Sequence, residues 1–311
     1  MQLSIVATLY KSAPHLAEFH RRAGEAARAL VGDDYEIVLV NDGSPDDSID
    51  VAVRLAESDA HVVVVDLSRN FGHHKAMMTG LEHARGDRIF LIDSDLEEEP
   101  EWLAAFSRVM QEQGSDVVYG RQQERKGQWF ERWSGEVYYS VFNWLTNIEH
   151  PRNIVTARLM TRRYVQALLQ HREREVVISC LWVITGFRQS EIQVRKLTGS
   201  DTTYNLGRKL EHAVNAITSF SEVPLRIIFY VGMVIFTISL AYAGKLVVNR
   251  LVFSEVVDGW TSVMVSIWIL GGLTISFVGI IGIYLSKIFS ETKQRPYTIV
   301  RAIHGQSRTS H

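Results

Sequence analysis

The ten residues RIFLIDSDLE, residues 88–97, decide how the rest of the chain is read. A short apolar run passes directly into Asp93, Asp95 and Glu97 at alternate positions. In an extended backbone, side chains two apart share a face, so these carboxylates are expected to point to one place. Like charges so placed repel unless a cation lies among them. Oxygen ligands suit Mg2+ or Mn2+, and Mg2+ is typically bound through one or two carboxylates plus substrate phosphates. The plainer alternative is a solvated acidic loop before a helix, with Glu98, Glu99 and Glu101 in the first turn, where negative charge is favourable. A D-x-D at the end of a buried strand favours the cation.

Working outward, apolar runs that read as buried strands fall at 3–9, 35–40, 62–67, 88–92 and 116–119. Helical patterns fall between them, at 15–30, 46–57, 73–84 and 100–113. Strands alternating with helices imply an α/β domain, a mostly parallel, Rossmann-like sheet with helices on both faces. Ser44-Pro45 reads as a cap before a helix-start proline, and Asn70 as the cap of the helix after Phe71-Gly72. Ligands of such sheets bind at the carboxyl ends of the strands, so the loops to read are 8–14, 41–47, 68–74 and 93–99. They hold no G-x-G-x-x-G after the first strand, no G-x-x-x-x-G-K-[ST] and no G-x-S-x-G.

The 311-residue chain is 46% hydrophobic and 22% charged with a net charge of −2, which excludes a disordered chain and argues against a nucleic-acid partner. Its single cysteine, Cys180, leaves no internal disulfide and no thiolate metal cluster.

A second polar loop, Asn41-Asp42-Gly43-Ser44-Pro45, is expected beside the D-x-D, with Asp42 accepting from a nucleobase or ribose and Gly43 letting a ligand approach the backbone. Arg69, Asn70, His73, His74 and Lys75 sit at a helix start, where backbone N–H groups favour a diphosphate. The adjacent histidines do not share a helix face and do not read as a metal pair.

Two apolar runs follow. Residues 227–244 hold 18 residues without a charge, extending to 248 if Lys245 snorkels, and 259–286 hold 28. A 22-residue helix is roughly 33 Å long, about one hydrocarbon thickness, so each run is expected to span a membrane as half of a C-terminal helical hairpin. Lys287, Lys293, Arg295, Arg301 and Arg308 follow the second run; Arg208, Lys209 and Arg226 precede the first. The positive-inside tendency then puts both termini in the cytoplasm. MQLSIVATLY lacks the basic region and cleavage site of a signal peptide. The expected organisation is a cytosolic domain at 1–205, an amphipathic segment at 206–226, spans at 227–248 and 259–286, and a basic tail at 287–311.

Between Trp129 and Trp144 lie seven aromatics, suited to the headgroup level or to packing on the domain or a second subunit. A lipid phosphate acceptor needs cations near the bilayer. Arg121, Arg125, Lys126 and Arg132 follow the fifth strand, and Lys196, Thr202 and Tyr204 lie just before the membrane.

Taken in order, these pieces resemble a family-2 glycosyltransferase with a GT-A fold. The similarity is to the membrane-bound polyprenyl-phosphate sugar transferases, relatives of dolichyl-phosphate mannose synthase and of the bacterial glucosyl and aminoarabinosyl enzymes. It runs through SIVATLY, VNDGSPDDS, SRNFGHHKAMMTGLEHARGD, LIDSDLEEEPEWL, VVYGRQQERKG, NIVTARLMTRR, TGFRQ, GSDTTYNLGRKL and AITSFSEVPLR. The resemblance implies that Thr8, Tyr10 and Asp42 line the nucleotide pocket, with Asn70 and Lys75 at the diphosphate. Asp93 would touch ribose or metal, and Asp95, with Glu97 as a further candidate, would hold Mg2+ or Mn2+ against the diphosphate. Arg121, Arg132 and Ser134 would bind the acceptor phosphate, and the 202–204 loop would close over the donor. Five residues depart from the family pattern: Thr8 in place of a frequent proline, Lys11-Ser12 in place of Asn-Glu, Asn41 for the first of two aspartates, and Glu97 for a frequent glutamine.

The implied reaction is an inverting transfer from a nucleotide-diphosphate sugar to a polyprenyl phosphate such as undecaprenyl phosphate. Its place would be the cytosolic face of the bacterial inner membrane, held by a multi-pass protein. The aromatic helix and glycine-bearing spans also offer surfaces for a homo-oligomer. Two other readings differ in chemistry: transfer to a hydroxyl of a lipid-linked glycan, using Glu131, Glu173 or Glu175 as base, and an inactive transferase fold serving as a membrane scaffold.

Overall fold

The computed structural model describes residues 1–122, 153–173, 178–196, 221–248 and 259–305. They divide into two compact units, 1–122 with 153–173, 178–196 and 295–305, and 221–248 with 259–294.

The first unit is built on β1 (Leu3–Leu9), β2 (Tyr35–Asn41), β3 (Val62–Leu67) and β4 (Arg88–Leu91). Nearly every residue of these strands is buried on both faces, as expected of a parallel sheet covered by helices. Each fully buried aliphatic side chain contributes roughly 1.5–3 kcal/mol of transfer free energy, so uninterrupted apolar runs are what hold this sheet in place. The covering helices are α1 (Ala13–Val31), α2 (Ser48–Ser58), α3 (His73–His83) and α4 (Trp102–Gln113). In α1, Leu16, Phe19, Ala23 and Ala27 recur at helical spacing and form its buried stripe.

The second half of the sheet departs from strict alternation. β5 (Val117–Gln122) and β6 (Ile154–Thr161) are followed by α5 (Arg162–Leu168), α6 (Ile178–Ile184) and β7 (Gln189–Val194). The strand order is β7-β5-β6-β4-β1-β2-β3-β8, where β8 is Val300–His304. β6 runs antiparallel to β4 and β5, and β8 antiparallel to β3; the other pairings are parallel. The segment after the last apolar run therefore contributes an edge strand to the sheet.

The second unit contains α7 (Val223–Val248) and α8 (Trp260–Thr292). Among the described residues, one helical stretch, Ser266–Thr292 within α8, is long and apolar enough to cross a membrane; the apolar stretch of α7, Val223–Ser239, is shorter. Of the two expected spans, one thus meets the length and apolarity of a crossing among the described residues.

Two capping expectations are corrected. Gly72, at φ 101°, rather than Asn70, occupies the cap position of α3. Asp47 precedes α2, and the Asp46 carboxylate accepts from the backbone N–H of Ser48, a function expected of Ser44.

Candidate active site

The strands β4, β1, β2 and β3 are parallel, so the loops leaving their carboxyl ends meet in one place and are bonded to one another. Ser94 Oγ donates to the Thr8 carbonyl at 2.8 Å, linking the loop after β4 to β1. Lys11 N donates to Ser44 Oγ at 2.7 Å, linking the loop after β1 to that after β2. Thr8 Oγ1 lies 3.0 Å from His73 Nδ1 at the start of α3.

Asp42 is tied to the protein's own loop. Its buried carboxylate accepts the backbone N–H of Phe71 at 2.7 Å and of Gly72 at 3.0 Å, so it shapes the loop before α3. Burial pushes its carboxyl up, and those two N–H groups draw it only partly back. At Gly43, a Cβ would stand 2.4 Å from the Arg69–Asn70 backbone. Its space is taken by the protein's own loop, and its φ of 56° favours glycine in any case.

The acid loop is a turn, not an extended continuation of β4. Leu96 adopts φ 63°, which breaks the two-residue alternation and sends the carboxylates to different neighbours. Asp93, 19% exposed, has Oδ1 3.4 Å from His73 Nε2. Asp95 is exposed and accepts Glu97 N at 3.0 Å. Glu97 Oε2 lies 3.9 Å from Lys196 Nζ. Burial raises Asp93, but the His73 imidazole beside it, the Thr156 hydroxyl and the charge on Lys196 outweigh it, and the carboxyl is held below its ordinary range. Burial lowers His73, and Asp93 reverses this, so the imidazole is raised.

Tyr10 is exposed at the rim, Asn70 is exposed, and Lys75 is half-buried in the first turn of α3. Arg121 Nη1 is paired with both oxygens of Glu191 at 3.1 Å, joining β5 to β7. Arg132, Ser134, Thr202 and Tyr204, with the aromatic segment 129–144, lie outside the described residues.

Sequence reasoning missed Glu98 and Arg158. Glu98, read as a solvated charge, is 0% exposed; it accepts Thr156 N at 3.0 Å, Ala157 N at 2.7 Å and Lys196 Nζ at 2.9 Å. Burial, then the nearby Asp93, pushes its carboxyl up to about 7. Lys196 is lowered by burial but raised on balance by Glu98. The ammonium thus gains from the pair while the dehydrated carboxylate regains only part of its burial cost, and three N–H donors on two oxygens suit the ionised form. Arg158, also buried, donates to the carbonyls of Thr156 and Val155 and stacks over Trp182. Glu98 has no local signal because its partners come from β6 and the end of β7, and Arg158 because Trp182, which it stacks over, comes from α6.

Among the described residues, no group of three or more His, Cys, Asp or Glu side chains is arranged to hold a metal. The donor set still fits a hard divalent cation. Asp93 Oδ1 is buried without a hydrogen bond of normal geometry, and Asp95 two residues on is open to solvent. Mg2+ needs only one or two carboxylates beside substrate phosphates.

A mostly parallel sheet with an acid-bearing turn at its carboxyl ends defines an α/β domain whose chemistry lies in its loops. The description "Glycosyl transferase family 2" matches residues 4–172. A protein of Mycobacterium tuberculosis described as "Putative glycosyltransferases" is 50% identical over 310 residues, covering 100% of this chain and 90% of its own. The prophage bactoprenol glucosyl transferase homolog of Escherichia coli is 30% identical, covering 97% and 99%. The bactoprenol glucosyl transferase of Shigella phage SfII is 31% identical, covering 98% and 99%. Among solved structures, mannosyl-3-phosphoglycerate synthase from Rubrobacter xylanophilus overlays with a TM-score of 0.49 at 16% identity, over 70% of this chain and 73% of that one. The chain belongs to glycosyl transferase family 2 and is a glycosyltransferase.

Proposed function

We propose that this protein transfers a sugar from a nucleoside-diphosphate sugar to a polyprenyl phosphate at the cytosolic face of a bacterial inner membrane, with inversion. The observation that carries the reading is similarity to bactoprenol glucosyl transferases over 97% and 98% of the chain.

The residues fit the task in outline. The loop that Asp42 shapes presents the start of α3, with His73 and Lys75, to a diphosphate. Asp93 and Asp95 would hold Mg2+ or Mn2+, which when bound supplies positive charge against the departing diphosphate. Arg121, and Arg132 and Ser134 beyond the described residues, would hold the acceptor phosphate.

A phosphate monoester has its second pKa near 6, so its oxygen is already largely anionic at neutral pH and needs no general base. Its oxygen bonds to the anomeric carbon as the bond to the nucleoside diphosphate breaks and the electron pair leaves with that diphosphate. The protein's part is to position both reactants and to neutralise charge. Transfer to a hydroxyl would need a free carboxylate base. Glu98 is not one, since both its oxygens are bonded.

The membrane reading has two crossings, one in α7 and one in α8. Its support is topological: β8 lies in the same sheet as β1 to β4, so the chain between them must cross an even number of times. One span alone would put β8 on the wrong side.

The test is incubation of purified protein with undecaprenyl phosphate, Mg2+ or Mn2+ and a panel of sugar nucleotides, with undecaprenol as the hydroxyl control. Donor consumption that requires the lipid phosphate is expected, and Asp95→Asn removes it without unfolding the protein. No consumption of any donor, under conditions where a relative turns over, overturns the proposal.

A further inference from the structure

The turn carrying Asp93 and Asp95 is exposed on one side and has a left-handed residue, Leu96, in its middle. Such a turn does not hold its own shape against several negative charges. What it has instead is an anchor at its far end. Glu98 sits three residues after Asp95 with its carboxylate fully enclosed. Oε1 takes the N–H of Thr156 and the Lys196 ammonium, and Oε2 takes the N–H of Ala157. Thr156, whose N–H bonds Glu98, also helps hold the Asp93 carboxyl below its ordinary range. Lys196 serves twice, reaching Glu97 from the same ammonium.

We propose that Glu98 is a positioning residue for the donor site: tied to β6 by Thr156 and Ala157 and to the end of β7 by Lys196, it fixes the turn on which Asp93 and Asp95 present their oxygens. This rests on the reading of those two aspartates as the residues that hold a divalent ion with the nucleotide. Glu98 touches neither ion nor sugar. It acts by setting where the two aspartates stand, as supporting residues beyond a metal's own ligands do elsewhere, where their loss costs about 10- to 100-fold in metal affinity.

Glu98→Gln keeps the size of the side chain but turns one end into an N–H2 group facing N–H donors, so one of the bonds to β6 is replaced by a clash of donors. Lys196→Met leaves both backbone bonds and removes only the ammonium.

The experiment titrates Mn2+ into the full chain in detergent with UDP or GDP present, reading free Mn2+ by electron paramagnetic resonance. Thermal unfolding is followed in parallel without metal. Wild type takes up Mn2+ with nucleotide. Glu98→Gln is expected to weaken that uptake about tenfold or more, with a melting temperature only a few degrees lower, and Lys196→Met to weaken it by less. Uptake by a folded Glu98→Gln equal to wild type overturns the positioning role. If Glu98→Gln does not fold, unaltered uptake by Lys196→Met does the same. A wild type that takes up no Mn2+ with either nucleotide overturns the donor-site reading itself.

Discussion

The guanidinium of Arg301 donates to the carbonyl of Ser68 at 2.6 Å, so a residue of the last strand holds the first residue of the loop that leads into α3. The same guanidinium lies 3.5 Å from Asp66, and the Ile299 carbonyl accepts Ser68 N at 2.8 Å. Thr298 adds a bond to Thr79 on α3. The chain thus returns from its apolar helices to brace the loop that Asp42 shapes.

Arg301→Ala should therefore loosen that loop without touching the acids. The Michaelis constant for the donor is expected to rise roughly threefold to tenfold at unchanged kcat, the worth of a half-exposed charge-assisted bond of about 1 kcal/mol. Arg301→Lys should restore part of it. A fall in kcat with an unchanged Michaelis constant would assign the arginine elsewhere.

Asn41 is the residue that replaces a carboxylate expected from the family pattern, and its neighbour explains the exchange. Its amide donates to Asp66 Oδ1 at 2.7 Å, with both side chains buried. Asn41→Asp would set two carboxylates together and raise their folded-state pKa, so the penalty is absent at acid pH and grows as pH rises through the carboxylate range. Urea unfolding should show a loss of about 1–3 kcal/mol near pH 7 that shrinks towards pH 4. Equal stability at both pH values would mean that Arg301 fully offsets the added charge.

His73, raised by the Asp93 carboxylate beside it, is expected to give the site a pH dependence. A raised imidazole contributes stability that is complete below its unfolded pKa and lost as pH climbs through its higher folded value. In the metal-free protein, affinity for an anionic nucleoside diphosphate should fall over that window just above the ordinary histidine range. Calorimetric titration of His73→Gln should give a flatter profile, and an unchanged profile would place the dependence on another group.

The parallel half of the fold was legible because its strands are continuous apolar runs buried on both faces: β1 and β3 were predicted with the bounds they have. The antiparallel strands β6 and β8 were not, since their pairing is set by distant partners and leaves no local period. Asp93, Asp95 and Asp42 were picked out as polar residues at strand ends, which topology alone brings together. Their detailed roles were less legible. A left-handed Leu96 undid the alternation across residues 93–97, and the loop at 69–70 filled the space over Gly43. Glu98 looked like its exposed neighbours because what buries it comes from β6 and the end of β7.

The two crossings proposed from the position of β8 predict a loop between α7 and α8 that lies outside the cell. In whole cells, Ser254→Cys should react with an impermeant maleimide from outside, and Ser310→Cys only after the membrane is opened. Reaction of both from the same side would contradict two crossings.

The central claim is that the acceptor is a lipid phosphate attacked through its own oxygen. The direct measurement is phosphorus and proton magnetic resonance of the lipid product formed from an α-linked sugar nucleotide. The account predicts a sugar phosphodiester with the opposite, β, anomeric configuration. A product joined through a hydroxyl, or one that keeps the α configuration, would contradict it.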